Sequence, residues 1–148
     1  MNPRRPRLIL ATLLGTALIA SACAKSSVPS AEEPAVVEEI EGSELSRITL
    51  SARAAERLGI ATEPVLEAGQ GRADLLAIPY AAVLYDADGK TWAYASSGQN
   101  LFIRHEIVVD RIEGDLAYLV TGPPAGTQVV TTGAAELYGT ETGVGGGH

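Results

Sequence analysis

The chain has 148 residues, 46% of them apolar, which suits one modest domain with a buried core. Its 18 acidic side chains outnumber the 11 basic ones for a formal charge of −7, and no basic cluster lies beyond the first seven residues, which argues against nucleic acid as a partner. A single cysteine excludes an intramolecular disulfide, and one methionine with two histidines leaves few ligands for a soft metal.

Arg4, Arg5 and Arg7 precede an apolar run from Leu8 to Ala20, and Ala20-Ser21-Ala22-Cys23 follows. Basic start, apolar run and small residues in that order are the layout of an export signal. The run is too short for a bilayer-spanning helix, which needs about 20 apolar residues. The small residues before the cysteine resemble a bacterial lipobox, with Ala20 where leucine is commonest. That resemblance implies a lipoprotein signal peptide over 1–22, cleavage before Cys23, and diacylglycerol on its thiol, so that the protein is exported and lipid-anchored to the cell membrane at its periplasmic or extracytoplasmic face. An ordinary secretory signal with an incidental cysteine is the plainer alternative. Cleavage would leave 126 residues with 8 basic and 18 acidic side chains, a formal charge of −10.

Residues 23–46 read as a disordered acidic tether: serines, two prolines and glutamates without a sustained apolar period. A short helix over 32–40 is the one alternative there. The pattern changes at Arg47, where a mainly β domain is expected over 47–139. Ile48 and Leu50 flank Thr49 as a short strand. Ser51 offers an N-cap for a helix over Ala52–Leu58, which Gly59 is placed to end. Ile60–Glu67 returns to extended chain, and Ala68-Gly69-Gln70-Gly71-Arg72 is a break.

Strands are then expected at Ala73–Ile78, Tyr80–Tyr85, Thr91–Ala95, Leu101–Asp110, Leu116–Thr121 and Gln128–Thr132. Pro79 marks a strand start or an edge, and Asp86-Ala87-Asp88-Gly89 closes a hairpin. Ile112–Asp115 reads as a turn, Gly133–Leu137 as one helical turn, and 140–148 as a flexible glycine-rich tail. Short strands at this spacing with one small helix predict a compact antiparallel β-barrel or sandwich.

Several words of the sequence form an ordered set: Ile78-Pro79-Tyr80-Ala81-Ala82-Val83-Leu84, Asp86 and Gly89, Trp92-Ala93-Tyr94, Phe102-Ile103-Arg104, Gly114-Asp115, Val129-Val130 and Gly133-Ala134-Ala135-Glu136-Leu137. Together they resemble the C-terminal part of the periplasmic adaptor subunits, or membrane fusion proteins, of RND-type efflux transporters. Ile48-Thr49-Leu50 and Gly59-Ile60-Ala61-Thr62 resemble the N-terminal start of that family's metal-efflux branch. A full adaptor carries a lipoyl-like domain and usually a helical hairpin between these two segments, whereas here only Ala68 to about Asp74 separates them. The resemblance therefore covers the membrane-proximal part. It implies a non-enzymatic module that docks on an inner-membrane transporter, or on another adaptor, without reaching an outer-membrane channel. A stand-alone ligand- or metal-binding surface lipoprotein, or a degenerate adaptor, are the alternative readings.

Sites of chemistry are sparse. His105 falls on the apolar face of its strand, where packing is the ordinary role, and His148 ends the tail. Asp86-x-Asp88-Gly89 lacks the spacing of a calcium loop, whose glycine stands sixth and glutamate twelfth. No serine has a nucleophile-elbow setting. No catalytic, metal or cofactor site is expected. A candidate partner surface would be built from Tyr85, Trp92, Tyr94 and Arg104, whose default is cross-strand packing; Arg104 has Glu106 and Asp110 as the nearest acidic partners in sequence.

Overall fold

A computed structural model describes residues 32–69 and 74–143. They fall in one compact unit, Glu32–His148. The signal segment with Cys23, the glycine break at 70–73 and His148 lie outside the described residues.

Among the described residues ten strands, paired antiparallel throughout, make a nearly closed barrel-like sheet, the mainly β architecture expected. In chain order they are β1 (Ala35–Glu39), β2 (Ser46–Leu50), β3 (Ala61–Pro64), β4 (Leu66–Glu67), β5 (Leu76–Pro79), β6 (Leu84–Tyr85), β7 (Thr91–Gly98), β8 (Leu101–Glu113), β9 (Leu116–Thr121) and β10 (Gln128–Thr132). Helix α1 (Ala52–Leu58) follows β2, and α2 (Ala134–Glu141) follows β10. The hydrogen-bonded path runs β3-β10-β7-β8-β9-β5-β4. Val65, between β3 and β4, is buried and exchanges hydrogen bonds with Thr127 O and Gly126 N at 2.8 Å, so β3 and β4 act as one bent strand that brings the two ends of the path together.

The longest strand, β8, makes the corner. It pairs with β7 from Leu101 to Ile107 and with β9 from Val108 to Glu113, with register shifts around Val108–Arg111. Such bulges bend a strand and increase its twist. Ile112 and Glu113 thus stay in the ladder, and the turn expected at Ile112–Asp115 shrinks to Gly114-Asp115, with Gly114 at φ 59°.

Two cores result, one on each side of the β7–β8–β10 sheet. The first takes buried residues from β5, β7, β8, β9 and β10 and from the bend between β3 and β4: Ile78, Ala93, Ile107, Leu119, Val129 and Val65 among them. It fills the barrel. The second, on the outer face, holds Ile48, Leu50, Tyr94, Phe102, Val130 and Leu137. Val129 and Val130, adjacent in β10, serve opposite cores because strand side chains alternate. Phe102 therefore lies buried on the face that pure alternation in β8 assigns to its polar side.

The outer core is roofed by α1, α2 and the β1–β2 hairpin. Ser51 caps α1 by accepting the Ala54 N–H at 3.2 Å, and Gly59 at φ 63° ends it, with Ile60 N reaching Ala55 O at 3.1 Å. This is the expected pair of stop signals. Residues 35–46 correct the tether reading. β1 pairs with β2 in register Ala35↔Leu50 to Glu39↔Ser46, and β2 in turn joins the edge of β8 at Leu101–Ile103. Here a strand carrying two glutamates is held by a hairpin partner that its composition does not announce, and Glu38 faces Arg47 across the pair at 4.0 Å.

Two further expectations change. Tyr80–Ala82 is a 3-10 turn, so the strand expected over Tyr80–Tyr85 reduces to β6 at its end. Helix α2 extends past one turn to Glu141, through the point where the tail was expected to begin. Leu137, fully buried, anchors it, contributing about 1.5–3 kcal/mol by burial alone.

Candidate functional site

Of the sequence-predicted surface residues, Trp92, Tyr94 and Arg104 share one face of β7 and β8, while Tyr85, paired with Thr91, falls on the other. Register places Trp92 opposite Glu106 and Tyr94 opposite Arg104, so all four share the outer face. Tyr94 nevertheless cannot meet a partner: its side chain is fully buried in the outer core, under α2. Tyr85 is 54% exposed, and Trp92 and Arg104 are half-buried between these extremes.

Arg104 does not pair with Glu106 or Asp110. Its Nε lies 3.2 Å from Oε2 of Glu141, the last residue of α2, and only 12% and 4% of the two side chains is exposed. The Nε–H does not line up with that oxygen as a hydrogen bond, so the attraction is ionic. The guanidinium carbon stands 4.2 Å from the centre of the Trp92 ring and 5.4 Å from that of Tyr138, distances suited to cation–π attraction. The Tyr94 hydroxyl donates to the same Glu141 oxygen, and the backbone N–H of Ser46 donates to Oε1 at 3.3 Å. One carboxylate thereby ties α2 to β2, β7 and β8. Burial, followed by the hydrogen bond to Glu141 and its negative charge, pushes the Tyr94 hydroxyl far above the usual tyrosine range.

The Asp86 turn forms the neighbouring wall. Its Oδ1 accepts N–H groups of Asp88 at 3.0 Å and Lys90 at 2.8 Å, and Oδ2 accepts the Trp92 indole N–H at 2.8 Å. The indole donor is the main reason the Asp86 carboxyl sits below its ordinary range, with the two backbone donors and the Lys90 charge adding to it. Gly89, at φ 80°, supplies the left-handed residue that this turn requires. The sequence reading of an acidic β-turn thus gains a task, since it fixes the edge of Trp92.

Between these walls lies an open cleft of about 470 Å³. The β1–β2 turn, the Asp86 turn, β7, β8 and α2 all contribute to it, through residues including Glu44, Asp88, Trp92, Arg104, Glu106 and Tyr138. The β1–β2 turn is itself tied down, Ile40 N bonding Leu45 O and Ser43 N bonding Ile40 O, each at 3.0 Å. A second hollow, between α1 and the β7–β8 turn, carries Glu56 as its one charged residue. Among the described residues no group of three or more histidine, cysteine, aspartate or glutamate side chains converges as a metal site, and no helix is long and apolar enough to cross a membrane.

Tyr80 and Tyr85 are both exposed. Hydrogen bonding to Tyr80, then burial, raises the Tyr85 hydroxyl above the ordinary tyrosine value. His105, facing Ala93 across the strands, is lowered by burial, which disfavours its charged form.

Glu141 and Tyr138 are the functional residues that sequence reasoning misses. Their signal is helical spacing: Ala134, Leu137, Tyr138 and Glu141 fall at i, i+3, i+4 and i+7 on one face. Gly139 and Thr140 obscure it, both being poor helix formers. Comparison of the chain with protein-family models, curated proteins and solved structures returns no match.

Proposed function

We propose that this protein is a non-enzymatic, exported lipoprotein, anchored through Cys23, whose β domain docks on a transporter at the outer face of the cytoplasmic membrane in the manner of the membrane-proximal part of a periplasmic adaptor. The observation that carries the reading is the ordered set of adaptor-like words in the sequence. The fold supports it, because those words occupy β5, β7, β8, β10 and the start of α2, which are joined in one continuous sheet and its covering helix. The exposed Tyr80 and Tyr85 supply a pair of amphipathic aromatic side chains of the kind enriched at protein interfaces. A lipid on Cys23 would confine this domain to the membrane surface and raise its effective concentration beside a membrane partner.

The test is affinity capture of the tagged full-length chain from membranes solubilised in several mild detergents. A transporter should be enriched, and a Tyr80→Ala/Tyr85→Ala variant should recover less of it. Recovery of no transporter in any detergent overturns the docking reading. Metabolic labelling with a radioactive fatty acid, expected for the parent and absent for Cys23→Ala, tests the anchor separately.

A further inference from the structure

Strand β1 leaves one side of its backbone unpaired. Ile40 N bonds Leu45 O and Ser51 N bonds Pro34 O, each at 3.0 Å, so the even-numbered residues on this arm of the hairpin are the hydrogen-bonded ones. Val36 and Glu38 therefore turn their backbone groups towards β2, and Ala35, Val37 and Glu39 turn theirs away from it. β1 pairs with β2 alone, and among the described residues those outward N–H and C=O groups have no hydrogen-bond partner. Val37 stands on the core-facing side, opposite Ile48, which in turn stands opposite Phe102. Exposure along that row is 3% at Phe102, 0% at Ile48 and 41% at Val37, so an apolar row of the outer core runs out into solvent at the edge.

Open edges template further strands, and native proteins blunt them with prolines, bulges or charges. β1 contains no proline and no bulge, and its charges, Glu38 and Glu39, stand at one end only. The edge is also complementary to itself. An antiparallel copy related by a two-fold axis at Val37 sets Val37 against Val37 and Ala35 against Glu39, so every outward group meets an outward group, two bonds to each pair. In that register Glu38 falls opposite Val36 and Glu39 opposite Ala35, so no two carboxylates of β1 are directly opposed. The Val37 side chains meet on the axis and join the Phe102 and Ile48 rows of both copies into one. We propose that this edge binds a second copy of the chain, β1 to β1 about Val37, making one continuous sheet through two domains. With 5 residues a side, the seam is smaller than the roughly 1,200–2,000 Å² of stable interfaces, so the dimer is a weak one. Just beyond the strand, Glu33 of each copy approaches Glu41 of the other, a repulsion that eases as salt rises. The proposal does not rest on the transporter reading, whose Tyr80 and Tyr85 are no part of the seam.

Val37→Cys in the full-length chain tests the register. Opposed Val37 positions lie about 5.5 Å apart between Cα atoms, within the ~4.4–6.8 Å that a disulfide spans. At Ala35→Cys or Glu39→Cys like positions are out of step by roughly 13 Å along the strand, beyond bridging. The purified protein, in a non-ionic detergent, is oxidised with copper phenanthroline, with the parent, whose one cysteine is Cys23, as background. Mass spectrometry of the linked peptides locates the bridge. Val37→Cys should dimerise several-fold faster than Ala35→Cys or Glu39→Cys, and faster at ~0.5 M than at ~0.05 M salt. A mixture of the Ala35→Cys and Glu39→Cys chains should bridge to each other although neither bridges to itself, an arm that does not depend on how Val37→Cys folds. Glu39→Pro removes an outward N–H without touching a β1–β2 bond, so adding it to Val37→Cys should slow the trapping several-fold. The same oxidation in expressing cells separates a copy from a foreign strand. Equal rates at 35, 37 and 39, no dimer in either arm, or a bridge in cells to a different protein in place of a second copy overturns the proposal.

Discussion

Removing the Glu141 carboxylate is the sharpest perturbation that this structure offers. The side chain is 4% exposed and its ionic partner Arg104 12% exposed, so deleting it strands a cation largely out of water. Breaking such a pair from one side typically costs about 3–5 kcal/mol. Arg104 keeps its position against the Trp92 and Tyr138 rings, which offsets part of that loss. The buried Tyr94 hydroxyl loses its acceptor, which costs about 1–3 kcal/mol more. Glu141→Ala should therefore destabilise the domain by about 3–6 kcal/mol, and at about 4 °C per kcal/mol the thermal midpoint should fall by roughly 12–24 °C. Glu141→Gln keeps acceptors for Tyr94 and Ser46 but not the charge, and should cost about 2 kcal/mol. Urea denaturation followed by Trp92 emission measures both, since the ring touches the affected guanidinium. A Glu141→Ala protein within about 0.5 kcal/mol of the parent would refute the view that this carboxylate clamps the outer core. Arg111 provides the contrast: its bridges to Asp110 and Glu113 are solvent-exposed, and Arg111→Ala should change stability by no more than about 1 kcal/mol.

Three other outcomes follow from single groups. His105 is held below the ordinary histidine value by burial, so the unfolded chain takes up its proton first on acidification; stability should be level above about pH 6.5, fall as pH drops through it, and lose that slope in His105→Gln, as read by unfolding curves across pH. Asp86 works in a lower window: with its folded value depressed, its contribution is complete above the unfolded carboxylate range and lost as pH falls through the folded value, and Asp86→Asn should flatten the acid limb of the same curves. For the glycines of α2 the signs are opposite. Gly139→Ala, with open space at its Cβ, should stabilise by about 0.5–1 kcal/mol, while Gly133→Ala, at φ 88° with Ile60 Cδ1 2.3 Å from the new carbon, should cost about 1–3 kcal/mol by thermal denaturation.

What could be read from the sequence was local. Ser51 and Gly59 bracket α1 because capping is settled within a turn of chain, and Asp86-Ala87-Asp88-Gly89 closes its hairpin for the same reason. What escaped depends on a partner outside the segment itself. β1 becomes a strand because β2 offers it a partner, a fact that Ala35-Val36-Val37-Glu38-Glu39 cannot express alone. For Arg104 the sequence offers Glu106 and Asp110 as neighbours, whereas its counter-charge lies 37 residues away on a helix expected to make only one turn. For Tyr94 cross-strand packing is the default reading and a partner surface the alternative; the roof of α2 decides for core.

The junction between β4 and β5 has a bearing on how such a chain could arise. Leu66 pairs with Ala77, Glu67 with Leu76, and Ala68 N reaches Leu75 O at 2.9 Å, so the chain leaves and re-enters the barrel at adjacent points of one ladder. Closing a longer excursion from such a doorway adds only about 0.6 kcal/mol for each doubling of its length. The barrel is thus thermodynamically almost indifferent to what is spliced there, whether a few residues or an entire domain. Loss or gain of a large insert at this point would leave both cores and the Glu141 clamp as they stand.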